Sequence, residues 1–259
     1  MRRPVPFYTY RCSSKPEEAV LGSGSNCSNG SGCSNSPWVD ELLACWRRDI
    51  PRKYQFVLNG LKPDPISQLP MAEQEKLYRE VQEEHIFDGW AFFAPAGYSK
   101  TTCSYRLYAQ AIIESLWHWD AFHYQAHNWP GQPGYNGKDT TPRIYVWRKS
   151  VPDLLQQHYD KISGKDVEPD ITVEKIEDAI KSEKHAGKFI PKVFLEEIDK
   201  IKPSEFATNQ LFRIIDALDR HKGQLVLDTN MTGEQFENTF GSPIARRVKE
   251  MCHVKEYGF

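Results

Sequence analysis

The chain has 259 residues, 39% of them hydrophobic, with 33 lysines and arginines against 35 acids. That is enough for one large domain, or one domain with a small appendage, and the near-balance of charge excludes a globally basic nucleic-acid binder. No apolar run approaches the ~20 residues that span a bilayer, and the opening Met1, Arg2, Arg3 and Pro4 lack the apolar stretch of a secretory signal, so a cytoplasmic protein without membrane contact is expected.

Residues 13–37 are rich in Ser, Gly and Asn with little that is apolar, and read as a flexible segment. Cys12, Cys27, Cys33 and Cys45 cluster in this first part, without a Cys-x2-Cys pair or a nearby histidine. Free thiols in a reduced compartment are therefore expected over a zinc module. A short helix is expected at 38–48, where Leu42, Leu43, Cys45 and Trp46 are apolar, followed by a basic junction from Arg47 to Tyr54 and a proline-rich loop at 61–70. A charged helix follows at 71–84, with Leu77 and Val81 turned inward.

After the turn at Asp88 and Gly89, the apolar run Trp90, Ala91, Phe92, Phe93 predicts a strand. A helical period through Tyr108, Ile112, Leu116 and Trp119 then predicts a helix to about residue 126. Its far end carries Asp120, His123 and, just beyond, His127 at helical spacing among aromatics. That set suits a packed, partly wet rim, with a metal site or a base-stacking surface as alternatives. Residues 128–141 read as loop. Further strands are expected at 144–147, 189–195, 224–227 and 254–257, and helices at 151–159, 171–185, after Ser204, after Thr232 and after Ser242. Ser204 is an N-cap, Thr232 with Gln235 a capping box, and Pro243 an N1 proline. Strands alternating with helices predict a parallel sheet covered on both faces, whose ligands bind at the carboxyl ends of the strands.

Those strand ends carry the chemistry. Between the first strand and its helix lie Ala94, Pro95, Ala96, Gly97, Tyr98, Ser99, Lys100 and Thr101. A loop entering a helix N-terminus offers unpaired N–H groups and a positive dipole end to phosphates. Lys100 would reach the β- and γ-phosphates, and the Thr101 hydroxyl would sit on Mg²⁺. The pattern is altered, because Ala94 and Ser99 stand where glycines are usual, and glycine serves where φ is positive or backbone crowds a ligand. The third strand ends in Glu196 and Glu197, and the fourth leads to Asn230. Hydrolysis of a magnesium nucleotide calls for an acid to hold the metal, an acid to orient water, and a polar group near the γ-phosphate.

With these residues in view, the chain resembles the AAA+ ATPases of the bacterial helicase-loader type (DnaC/DnaI) and the related IstB-like transposition helpers, over residues 47–255. The resemblance rests on Ile50, Pro51, Arg52, Lys53 and Tyr54, on the loop from Ala94 to Thr101, on Val193 to Glu197, on Val226 to Met231, and on Phe240 to Val248. It implies a P-loop AAA+ three-layer sandwich over 49–259, a small N-terminal extension over 1–48, and no C-terminal helical lid. It further implies ATP and Mg²⁺ as ligands, with Thr101 and Glu196 at the metal, Glu197 and Asn230 catalytic, and Arg247, or alternatively Arg246, as a finger reaching a neighbouring subunit. The implied partners are DNA, most simply single-stranded, a replicative helicase or transposase, and further copies of the chain. Glu196 is one methylene longer than the aspartate usual there. A nucleotide-binding adaptor without turnover is therefore the alternative expectation. Arg143, Arg148 and Lys149 are the local cations that would support a DNA contact.

Overall fold

Five strands carry the architecture of the computed structural model, which describes residues 50–59, 64–81, 88–125, 146–181 and 190–259. They are β1 (Gly89–Phe93), β2 (Val146–Ser150), β3 (Lys192–Glu196), β4 (Gln224–Thr229) and β5 (Cys252–Glu256). All pair in parallel, in the order β2-β3-β4-β1-β5. Among the described residues seven helices accompany them: α1 (Met71–Arg79), α2 (Lys100–Gln125), α3 (Val151–Ile162), α4 (Val173–Lys181), α5 (Glu205–Arg220), α6 (Gly233–Phe240) and α7 (Ser242–Met251). A 3₁₀ segment, Arg52–Asn59, precedes them, and another, Ile198–Lys200, follows β3.

Alternation along each strand sorts side chains to two faces. Ala91, Phe93, Val193, Leu195, Leu225 and Leu227 pack against α3 to α7 through Leu154, Ile176, Leu211, Ile215, Phe236 and Ile244. Trp90, Phe92, Val146, Phe194 and Val226 pack against Arg52–Asn59, α1 and α2 through Val57, Leu77, Tyr78, Tyr108 and Ile112. The result is a three-layer α/β sandwich. Of its three inner strands, β1 and β4 are buried along their whole length and β3 in all but its last residue, Glu196, as suits strands covered on both faces. Edge strand β5 alternates between buried Cys252 and more open positions.

Helix starts follow local chemistry. The Ser204 side chain accepts from the Ala207 N–H at 3.1 Å. Thr232 accepts from the Gln235 N–H at 3.1 Å while Gln235 accepts from the Thr232 N–H at 2.9 Å, closing the capping box. Ser150 caps α3, with a proline in its first turn.

Boundaries differ from expectation where charges occur inside strands. The second strand was expected to stop at Trp147 but runs through Arg148 and Lys149 to Ser150. The fourth, expected over 224–227 with Asp228, Thr229 and Asn230 as its ending, runs as strand through Asp228 and Thr229. Arg148 and Lys149 find carboxylate partners in Glu196 and Asp170, whereas Asp228 receives the Glu197 N–H on one oxygen only. Residues 13–37, the expected helix at 38–48, Cys12, Cys27, Cys33, Cys45, His127, the 128–141 loop and Arg143 lie outside the described residues. Asp120 and His123 fall on α2 by backbone alone. Cys103 and Cys252 are buried and free; burial pushes the Cys103 thiol up to about 12, which keeps it unreactive. Among the described residues no helix is long and apolar enough to cross a membrane.

Candidate functional site

The carboxyl ends of β1, β3 and β4 open on one rim. Residues 94–99 leave β1 there, with the Ala94 N–H donating to Thr229 O at 3.2 Å and the Gly97 carbonyl accepting from the Gln68 N–H at 2.7 Å. Gly97 has φ 86° and Ser99 φ 62°. Of the two non-glycines in the pattern, then, Ser99 is the one that occupies the left-handed region, which costs a residue with a Cβ about 1–2 kcal/mol. Its hydroxyl is buried beside the Tyr78 side chain. Ser99→Gly is expected to raise stability by about 1 kcal/mol, read as a shift of the urea midpoint; an unchanged or lower midpoint would refute the strain.

Lys100 opens α2 with 7% of its surface exposed. Its Nζ donates to Pro95 O at 3.0 Å and to Asn230 Oδ1 at 2.6 Å. Burial lowers its pKa from the ordinary lysine value, against the opposing pull of Asp228 and Asp199. Asn230 is held in turn by Asp199: the backbone N–H donates to Asp199 Oδ1 at 3.0 Å and Nδ2 donates to Oδ2 at 2.7 Å. Thr101, the next residue, is partly exposed in the first turn of α2, and Thr102 donates to buried Asp64 at 2.6 Å.

The acids sit differently from one another. Glu196, the last residue of β3, forms an ion pair with Arg148 of β2, their side chains 18% and 5% exposed. The other arm of Arg148 donates to Ser104 Oγ at 3.0 Å, and the guanidinium lies over the Tyr105 ring at 3.6 Å. Arg148 is therefore not a surface cation for DNA. Lys149 is bound to Asp170 at 2.6 Å. Glu197 turns outward in a left-handed conformation, φ 58° and ψ 34°, and pairs with Lys200 at 2.5 Å. Its N–H donates to Asp228 Oδ1 at 3.3 Å.

Asp228, which the sequence reading did not single out, lies on the same rim. It is 3% exposed, and its Oδ2 is buried without a partner. Burial, reinforced by Glu196 and opposed by Arg148 and Lys100, raises its pKa to about 6. The one signal available in the sequence was an acid inside an apolar run, Leu225, Val226, Leu227, Asp228.

The two finger candidates on α7 part company. Arg247 is bound to Asp216 of α5 at 2.9 and 2.5 Å and lies over the Phe212 ring at 4.7 Å. Arg246 is 68% exposed, with Glu250 of its own helix at 3.7 Å. Among the described residues no group of three or more His, Cys, Asp or Glu side chains is placed to hold a metal ion by itself.

Fold and site together define a three-layer α/β protein with a buried lysine, an amide and carboxylates gathered where a strand–loop–helix opens on the carboxyl rim of its parallel sheet. No protein-family model matches the chain, and neither does any curated protein. Among solved structures it is similar to the DnaC helicase loader, at 15% identity over 79% of this chain and 98% of that one, TM-score 0.47. It is also similar to AMPPCP-bound DnaA from Aquifex aeolicus, at 13% identity over 80% of this chain and 51% of that one, TM-score 0.46. A third similarity, to a DNA replication initiation factor, has 12% identity, 72% and 46% coverage, and TM-score 0.40. The chain thus spans about half the length of the last two proteins.

Proposed function

We propose that this chain is an ATP-binding protein of the AAA+ type, an oligomeric switch that works on single-stranded DNA in the cytoplasm together with a replicative helicase or a transposase. The observation that carries the reading is the 2.6 Å contact between Lys100 and Asn230, which brings the loop's cation and the end of β4 together across 130 residues. An ammonium has three donors; two are engaged by Pro95 and Asn230 in the protein alone, and exchanging the Pro95 carbonyl for phosphate oxygens would trade a neutral acceptor for a charged one. The N-terminus of α2 adds its dipole and unpaired N–H groups.

The residues present fit Mg²⁺, a hard ion that takes one or two carboxylates besides phosphate and water: Asp228 keeps an unpartnered buried carboxylate oxygen on the rim that carries Lys100. Thr101 and one carboxylate from the neighbouring strand ends, Glu196 or Asp228, would hold it. When bound, the ion neutralises charge on the transferred phosphoryl group. Glu197 would orient the attacking water, Asn230 would sense the γ-phosphate, and a second copy would supply an arginine. The exposure of Arg246 and the ion pair of Arg247 favour Arg246 for that reach, with Arg247 tying α7 to α5.

Binding without turnover is the second reading, favoured by the engagement of Glu196 with Arg148 and of Glu197 with Lys200. One experiment serves both. Lys100→Ala, with its melting curve as the control for folding, is expected to weaken binding of a fluorescent ATP analogue about 10–100-fold, in line with the loss of a charge-assisted contact. Unchanged affinity removes the site. Phosphate release by the unaltered protein no greater than by the variant, with binding intact, selects the adaptor.

A further inference from the structure

We infer that Asp228, rather than Glu196, is the carboxylate through which this chain engages the metal of a magnesium nucleotide. The inference rests on the reading that the loop after β1 binds such a nucleotide. It comes from four observations on the rim.

The first is position. β4 lies between β3 and β1, and Asp228 is in register with Phe92 of β1, the strand that runs into the loop. Strands are about 4.8 Å apart, so Asp228 stands one strand from the loop's own strand and Glu196 two. The second is the electrostatic pairing that follows. Lys100 and Asp228 act on each other's charge. The third is occupancy. Glu196 is neutralised by Arg148, and that guanidinium is fixed by Ser104 and by stacking on Tyr105. Freeing Glu196 would leave a buried arginine without its carboxylate, a loss that runs to several kcal/mol.

The fourth is the state of Asp228 itself. One oxygen receives the Glu197 N–H at 3.3 Å, while the other is buried with no partner. Burying a carboxylate in this way is costly unless something satisfies it. Its neighbours include the Lys100 ammonium and the Arg148 guanidinium, with Glu196 as the opposing like charge. A hard cation, directly or through one of its waters, is the partner whose chemistry fits a lone carboxylate oxygen at the strand end nearest a phosphate-type loop. The 3.3 Å bond to Glu197 offers a merely structural alternative, in which Asp228 exists to hold the left-handed turn after β3.

The test is the tightening of a fluorescent, non-hydrolysable ATP analogue by Mg²⁺, measured as the ratio of affinities with and without the ion. Asp228→Asn keeps an acceptor for the Glu197 N–H and removes the charge. It is expected to leave metal-free affinity equal or better, since a negative charge near the phosphates is gone, and to reduce the Mg²⁺ tightening about 10–100-fold. Asp228→Ser, melting at the wild-type temperature or above, is expected to show the same loss, and Glu196→Gln a change of a few-fold at most. Full tightening in Asp228→Asn, or its loss in Glu196→Gln instead, overturns the assignment while leaving the nucleotide site standing. Nucleotide binding by the wild type that Mg²⁺ does not tighten overturns it as well. Absence of any nucleotide binding by the wild type overturns the broader reading and this one with it.

Discussion

Arg148→Ala is expected to destabilise the protein by about 3–5 kcal/mol at neutral pH, the range for removing one partner of a buried ion pair. The side chain is 5% exposed, so water cannot take its place, and it serves Glu196, Ser104 and Tyr105 together. Its loss leaves Glu196 beside Asp228 with no intervening cation on β2. The penalty should shrink at pH 5, because Asp228 titrates near 6 even with Arg148 present and its protonation relieves the repulsion. Adding Glu196→Gln to the variant should recover part of the loss, since a neutral amide needs no counter-charge. Urea unfolding of the four members of this cycle measures the coupling. A cost below about 1 kcal/mol, the value of an exposed pair, would show that the guanidinium is solvated and the rim more open than described.

Asp228→Asn should act in the opposite direction. The carboxyl's pKa is raised from 3.8 to about 6 in the folded protein. Across that window the native state holds its proton longer than the unfolded chain does, so stability falls as pH rises through it. Above pH 6 the full penalty remains, about 2–3 kcal/mol at 1.36 kcal/mol per pH unit. The asparagine variant, with nothing to titrate at this position, is expected to be more stable than the wild type by that amount at pH 7. The two should converge towards pH 4. Unfolding curves at pH 4, 5, 6 and 7 check both the size and the sign. A wild-type curve whose stability climbs between pH 4 and 6 relative to the variant would mean that the carboxylate is stabilised in the fold, with its free oxygen paired.

The layered sheet was legible because the main signals were periodic. Runs such as Phe194, Leu195 and Leu225, Val226, Leu227 can hardly be anything but buried strands, and Ser204, Thr232, Gln235 and Pro243 announce helix starts through hydrogen bonds made within a few residues. The site was legible in part. Lys100 could be selected because it ends a loop between an apolar strand and a helix, and Asn230 because it lies just past the end of another apolar strand. Asp228, Asp199 and Arg148 could not, because their meaning depends on contacts between distant elements. An arginine and a lysine after Trp147 look like a solvated strand end until Tyr105 and Ser104 of α2 are set over the first of them. Asp228 looks like a strand terminator until β3 and β1 close around it. The ion pair of Arg247 is hidden in the same way, because its partner Asp216 belongs to another helix. Ser99 shows the converse. The sequence flagged a missing glycine, and the backbone adopts the glycine conformation regardless.

The order of the strands also bears on how the chain reaches its native state. Trp90 of β1 pairs with Val226 on one side and with His253 on the other. Both neighbours of this strand come from the last stretch of the sequence. During synthesis, the segment that leads into the phosphate-type loop emerges early and must wait on the ribosome with two unmatched edges, exposing Trp90, Phe92 and Phe93, until β4 and then β5 arrive. Such long-range closure slows folding and lengthens exposure to aggregation. Nascent chains stalled before β4 should therefore be the species that engage chaperones, and the loop can acquire its shape only once β4 and β5 have been made.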